Sequence, residues 1–106
     1  MKVLITGPQG SGKTTQAEIL AKQLNLCLVV AGDMVRRLAK ENSEEGGRVQ
    51  TSLEKGEMVD DQIMGSLVRR KLSGEDCREG AVVDGYPRTL SQLKVFDPDF
   101  EVVFYL

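Results

Sequence analysis

The segment Gly7-Pro8-Gln9-Gly10-Ser11-Gly12-Lys13-Thr14 has the spacing G-x-x-x-x-G-K-[ST], and each residue type in it does a separate job in holding a polyphosphate. Glycines let the backbone turn until its N–H groups face phosphate oxygens, and a helix that begins at the end of the loop adds positive potential. Lys13 supplies a point charge for the β and γ phosphates, and the hydroxyl of Thr14 or Thr15 can ligate Mg²⁺. A glycine-rich turn with no ligand would need neither three glycines nor the lysine. A second set of candidates lies at Asp84-Gly85-Tyr86-Pro87-Arg88. Asp84 ends an apolar run, which puts it at a strand tip, where a carboxylate can hold Mg²⁺ through water. The same residues also read as a plain strand-ending turn. Arg88, next to that tip, carries a planar fork suited to gripping a second phosphate.

Four short apolar runs, Val3 to Ile5, Leu26 to Val30, Ala81 to Val83 and Val102 to Leu106, do not alternate with polar residues. They read as strands covered on both faces. Between them lie helical patterns. After Lys13, the residues Ala17, Leu20, Ala21 and Leu24 recur at helical spacing, with Glu18 and Lys22 facing outward. Asp33 is expected to cap a helix over Met34 to Ala39, and Asn42 with Glu45 resembles a capping box. Gly56 should end the helix that follows. Asp60 or Asp61 should start another that buries Ile63, Met64, Leu67, Val68 and Leu72. Alternating strands and helices imply an α/β domain with a parallel sheet. About fifty residues without a strand signal separate the second and third runs, more than a single crossover helix needs, so a helical insertion is expected there.

The 106 residues suffice for one small domain, and their 41% hydrophobic and 28% charged content exclude a wholly disordered or collagen-like chain. No apolar run approaches the ~20 residues of a membrane span, and no signal-peptide pattern opens the chain, so an untargeted cytoplasmic protein is expected, with no membrane partner. A net charge of −2 leaves no electrostatic footprint for nucleic acid. The absence of histidine excludes imidazole acid–base chemistry and HExxH zinc sites. Cys27 and Cys77 are far apart in sequence and are expected to be two reduced thiols. The chain stops on the apolar run Val102 to Leu106 rather than in a polar linker, as if inside a larger fold.

Gly7 to Thr15 with Gln16-Ala17, then Gly32-Asp33-Met34-Val35-Arg36, then Gly56-Glu57-Met58-Val59, then Asp84 to Thr89 with Gln92, stand in the order and spacing of the adenylate kinase family. The chain therefore resembles a nucleoside monophosphate kinase along nearly all of its length. The resemblance implies a P-loop three-layer α/β fold. Its core would be residues 1–32 and 73–106, left incomplete, and residues 33–72 would form the helical monophosphate-binding insertion. It also implies γ-phosphoryl transfer from Mg²⁺·ATP to AMP, giving two ADP. By that likeness Gly7, Gln9, Gly10, Ser11, Gly12, Lys13, Thr14 and Thr15 would hold ATP, with Lys13 and Arg88 serving catalysis. The AMP site would take Ala31, Gly32, Arg36, Gly56, Met58, Val59, Gly85, Arg88 and Gln92. Arg36 and Arg88 would clamp the AMP phosphate and Gln92 would read the adenine edge. Thr14, Asp33 and Asp84 would serve the magnesium ion.

The pattern has departures. Gln9 stands where the family usually has proline, and Thr14 where it usually has glycine, which brings the loop nearer to thymidylate-type kinases. Ala31 replaces a common threonine and looks like UMP/CMP kinases, whereas Thr89 and Gln92 favour AMP. The family's arginine-bearing lid has no counterpart. Two other readings stay open: a pyrimidine monophosphate kinase, and a nucleotide-binding module without turnover. A monomer is expected, with an open sheet edge that could self-associate. Without the family pattern Arg36 reads as a solvated helix charge, and Arg37, Arg69 and Arg70 match no motif and are expected to be exposed.

Overall fold

A computed structural model describes residues 1–8, 12–57 and 59–106. Its sheet is all parallel, in the order β2 (Cys27–Val30), β3 (Ala81–Asp84), β1 (Lys2–Thr6), β4 (Val102–Tyr105). The register sets Ile5 and Val30 on either side of Asp84, so the C-terminal ends of three strands meet at one sheet edge. β1 is followed by α1 (Lys13–Leu24) and then by β2, on the far side of β3; β3 is followed by α5 (Leu90–Val95) and then by β4, on the far side of β1. The chain thus leaves β1 and β3 in opposite directions, and the crevice between their tips is where open α/β sheets bind ligands.

Strand alternation assigns the two faces. Val3, Ile5 and Val82 pack against Ala17 and Ala21 of α1. Leu4, Val29 and Val83 point the other way, into a core with Val68, Cys77, Tyr86 and Phe96. Helices on both faces of a sheet make the three layers. β1 and β3 are covered on both faces as expected, but β4 is not: Phe104 and Tyr105 are exposed, Tyr105 by 73%, because β4 lies at the sheet edge. Leu24, the last residue of the α1 stripe, is also left exposed.

Three helices connect β2 to β3: α2 (Ala31–Ala39), α3 (Glu44–Glu54) and α4 (Asp61–Leu72). Val35, Leu38 and Val49 form a small separate core, closed by Val59, Ile63 and Leu67. Val68 and Leu72 pack instead on the main core, so α4 joins the two clusters. Two capping expectations are corrected. α2 follows β2 without a turn and begins at Ala31, so Asp33 lies inside its first turn, where its charge suits the helix dipole, rather than capping it. The cap of α3 is Ser43, whose hydroxyl accepts from the Gly46 N–H, and not Asn42. Asp60 caps α4 by accepting from the Gln62 N–H, and Gly56, with φ of +71°, follows the end of α3.

The expectation of two free thiols is overturned as well. Cys27 and Cys77 form a disulfide across 50 residues of sequence. Parallel pairing sets Cys27 opposite Ala81, and a single 3₁₀ turn at Glu75–Cys77 brings the second cysteine to a Cα separation of 5.1 Å. Among the described residues no helix is long and apolar enough to cross a membrane.

Candidate functional site

The first half of the site is built where β1 gives way to α1. Gly7 has φ of +143°, and a Cβ there would lie 2.5 Å from the Leu106 carbonyl oxygen, so only glycine fits. Gly12 stands at the α1 N-cap in the left-handed region (φ 80°), and no side chain among the described residues caps the helix. No acidic residue occupies the first turn of α1, which leaves its N–H groups and dipole available to an anion. Lys13 is buried there, 8% exposed, with its ammonium 3.7 Å from Oδ1 of Asp84. Thr14 donates its hydroxyl to Asp84 Oδ2 at 2.7 Å. Asp84 is 1% exposed, and its Oδ1 accepts no hydrogen bond from the described residues. A buried carboxylate oxygen paired only loosely with a lysine retains capacity for a further cation or a water held by one. Thr15 is exposed on the first turn of α1, and Gln9, Gly10 and Ser11 lie outside the described residues.

The second half opens beside the first, because Gly85 follows Asp84 and Ala31 follows its neighbour Val30. A cavity of about 390 Å³ lies there, within the usual range for a small-molecule site. Ala31, Gly32 and Arg36 of α2 line it from one side, and Gly56 and Val59 from the connection between α3 and α4. Gly85, Arg88 and Gln92 close it from the core. Met58 lies outside the described residues. Arg88 is steadied by its Nε–H, which donates to the Gly85 carbonyl at 2.8 Å, and its guanidinium has no acidic partner among the described residues. Arg36 is ion-paired with Asp33, and both side chains are more than half exposed. Asp33 is thus placed beside Arg36. Arg37, Arg69 and Arg70 are exposed, as expected, and Arg69 lies over the Phe96 ring, 5.0 Å from its centroid.

Gln92 is part of the capping box of α5: its N–H donates to Thr89 Oγ1, while its Oε1 accepts from the backbone N–H groups of Arg88 and Thr89. Val35, Leu53, Glu57, Met64 and Tyr86 also line the cavity and were not among the sequence candidates. Val35 and Tyr86 stand inside segments already singled out, and Leu53 and Glu57 flank Gly56, so proximity to those segments was the available signal. Burial, then the negative charges of Asp61 and Asp60, raise the Tyr86 pKa above the usual phenol value, so its hydroxyl stays protonated as a donor.

A parallel sheet, a glycine loop entering a helix and a strand-tip carboxylate define a P-loop nucleotide kinase fold. A family model described as adenylate kinase matches residues 5–104, and the chain belongs to that family. It is 42% identical over 97 residues to an adenylate kinase from Desulforamulus reducens, an alignment covering 92% of this chain and 46% of the relative. Adenylate kinases from Thermosipho africanus and Bifidobacterium longum are each 40% identical over the same length, with 92% of this chain and 45% and 52% of the relatives covered. The chain spans about half the length of the curated relatives it matches.

Proposed function

We propose that this chain carries the donor-phosphate loop and the acceptor cavity of an adenylate kinase, which moves the γ-phosphoryl group of ATP to AMP and yields two ADP. The observation that supports this most is convergence. Ala31, Gly32, Arg36, Gly56, Val59, Gly85, Arg88 and Gln92 come from three separate segments and line one cavity next to the Lys13, Thr14 and Asp84 cluster.

In this reading residues 33–72 serve as the monophosphate-binding insertion. The loop backbone from Gly7 to Gly12 and the first turn of α1 hold the ATP phosphates, and Lys13 neutralises their charge. Arg88, already steadied by Gly85, and Arg36, once it leaves Asp33, grip the acceptor phosphate and hold it in line with the donor. The residues fit a magnesium ion as well. This metal commonly takes one or two carboxylates and keeps its other positions for water and substrate phosphate, and Asp84 offers a buried oxygen with the Thr14 hydroxyl beside it. When bound, it would offset the charge building on the phosphate oxygens. Asp33, held by Arg36, would be free to orient water around the ion only after that pair opens.

Ala31 favours the second reading, a pyrimidine acceptor, because it puts a methyl group rather than a hydroxyl on the cavity wall. Competition binding of AMP, CMP and UMP separates the two. AMP should displace the others and bind several-fold more tightly, and a preference for CMP would transfer the assignment to a pyrimidine monophosphate kinase.

A further inference from the structure

The carboxamide of Gln92 is held at three points. Its Oε1 accepts from Arg88 N–H at 2.8 Å and from Thr89 N–H at 3.3 Å, which uses both oxygen lone pairs. Its Nε2 donates one hydrogen to Asp61 Oδ1 at 2.9 Å, across 31 residues of sequence. The second Nε2 hydrogen has no protein acceptor among the described residues, and Gln92 lines the cavity while only 7% exposed. Turning the amide over would set its oxygen against the Asp61 carboxylate and its nitrogen against two backbone donors. The side chain therefore offers a ligand one donor and no acceptor.

We propose that Asp61 is a positioning residue that locks Gln92 with an N–H toward the acceptor base, so that the site selects a ring nitrogen free to accept a hydrogen bond. This rests on the adenylate kinase reading above. Two backbone bonds hold the amide by its oxygen alone, and the Asp61 carboxylate supplies the third point, which fixes its plane and the direction of its remaining N–H. Asp61 is well placed for this. It is the first residue of α4, its helix is capped independently by Asp60, and its carbonyl accepts from the Tyr86 hydroxyl at 3.3 Å. Adenine presents an unprotonated N1, whereas hypoxanthine carries a hydrogen there, and a donor facing a donor leaves both unpaired.

The test is the ratio of AMP to IMP affinity, measured by titration calorimetry on the parent chain and on Asp61→Ala and Asp61→Asn. The parent should favour AMP about tenfold or more. Asp61→Ala should cut that ratio at least threefold, because an amide held by its oxygen alone no longer keeps its N–H directed at the ring nitrogen of AMP, and should leave ATP affinity unchanged. Asp61→Asn should restore the ratio, since its Oδ1 also accepts. Loss of structural support alone would weaken AMP and IMP together and leave the ratio untouched. An unchanged ratio in Asp61→Ala, an Asp61→Asn that behaves like alanine, or a parent that binds AMP and IMP equally would overturn the role of Asp61. A parent that binds neither monophosphate would instead overturn the adenylate kinase reading.

Discussion

Residues of one type stand in very different positions in this molecule, and the two adjacent glycines of α3 show it. A Cβ on Gly46 would lie 2.6 Å from the backbone oxygens of both Glu41 and Leu38, whereas one on Gly47 would meet nothing within 4 Å. Helix propensity alone favours alanine over glycine by roughly 0.5–1 kcal/mol at either site. Gly47→Ala should gain about that much stability in urea unfolding. Gly46→Ala should lose about 1–3 kcal/mol, because backbone has to move to admit the methyl group. A stabilising Gly46→Ala would contradict the packing described for the turn before α3. The clustering of Lys13 and Thr14 on Asp84, with Arg88 at the cavity beside it, was legible in the sequence, since these residues sit at fixed short spacings from glycines or strand ends. The hydrogen bond from Gln92 to Asp61 was not, because it forms only when α4 meets α5 in space.

At the scale of elements, strands and long helices follow from runs and periodicity, and their junctions do not. The start of α2 at Ala31 could not be read from Asp33, because the chain passes from β2 into the helix with no intervening turn. Exposure of β4 depends on sheet order, which apolar content does not encode. The disulfide was hidden for a related reason: 50 residues separate two cysteines that parallel pairing brings together. That bond closes a loop containing α2, α3 and α4. Loop-closure entropy for such a length gives about 4 kcal/mol. For a domain of this size that corresponds to a fall in melting temperature of roughly 15 °C or more on reduction. Thermal unfolding with and without a phosphine reductant measures it, and an unchanged midpoint would show that the staple carries no stability.

For the whole molecule, the sheet divides the labour. The tip of β1 and the start of α1 bring Lys13 and Thr14 to Asp84, and the helices between β2 and β3 build a cavity beside them whose floor is the segment after Asp84. Two neighbouring sites, one for each nucleotide, are the central claim. Nucleotide titrations of Lys13→Gln and Arg88→Ala address it most directly, since glutamine at position 13 still donates toward Asp84 but lacks the charge. A charge-assisted contact contributes about 1.5–3 kcal/mol, or roughly tenfold to a hundredfold in affinity. Lys13→Gln should lose that factor for ATP and keep AMP binding within about threefold of the parent. Arg88→Ala should do the reverse. Equal losses of both nucleotides in both variants would mean a single shared site and would contradict the account.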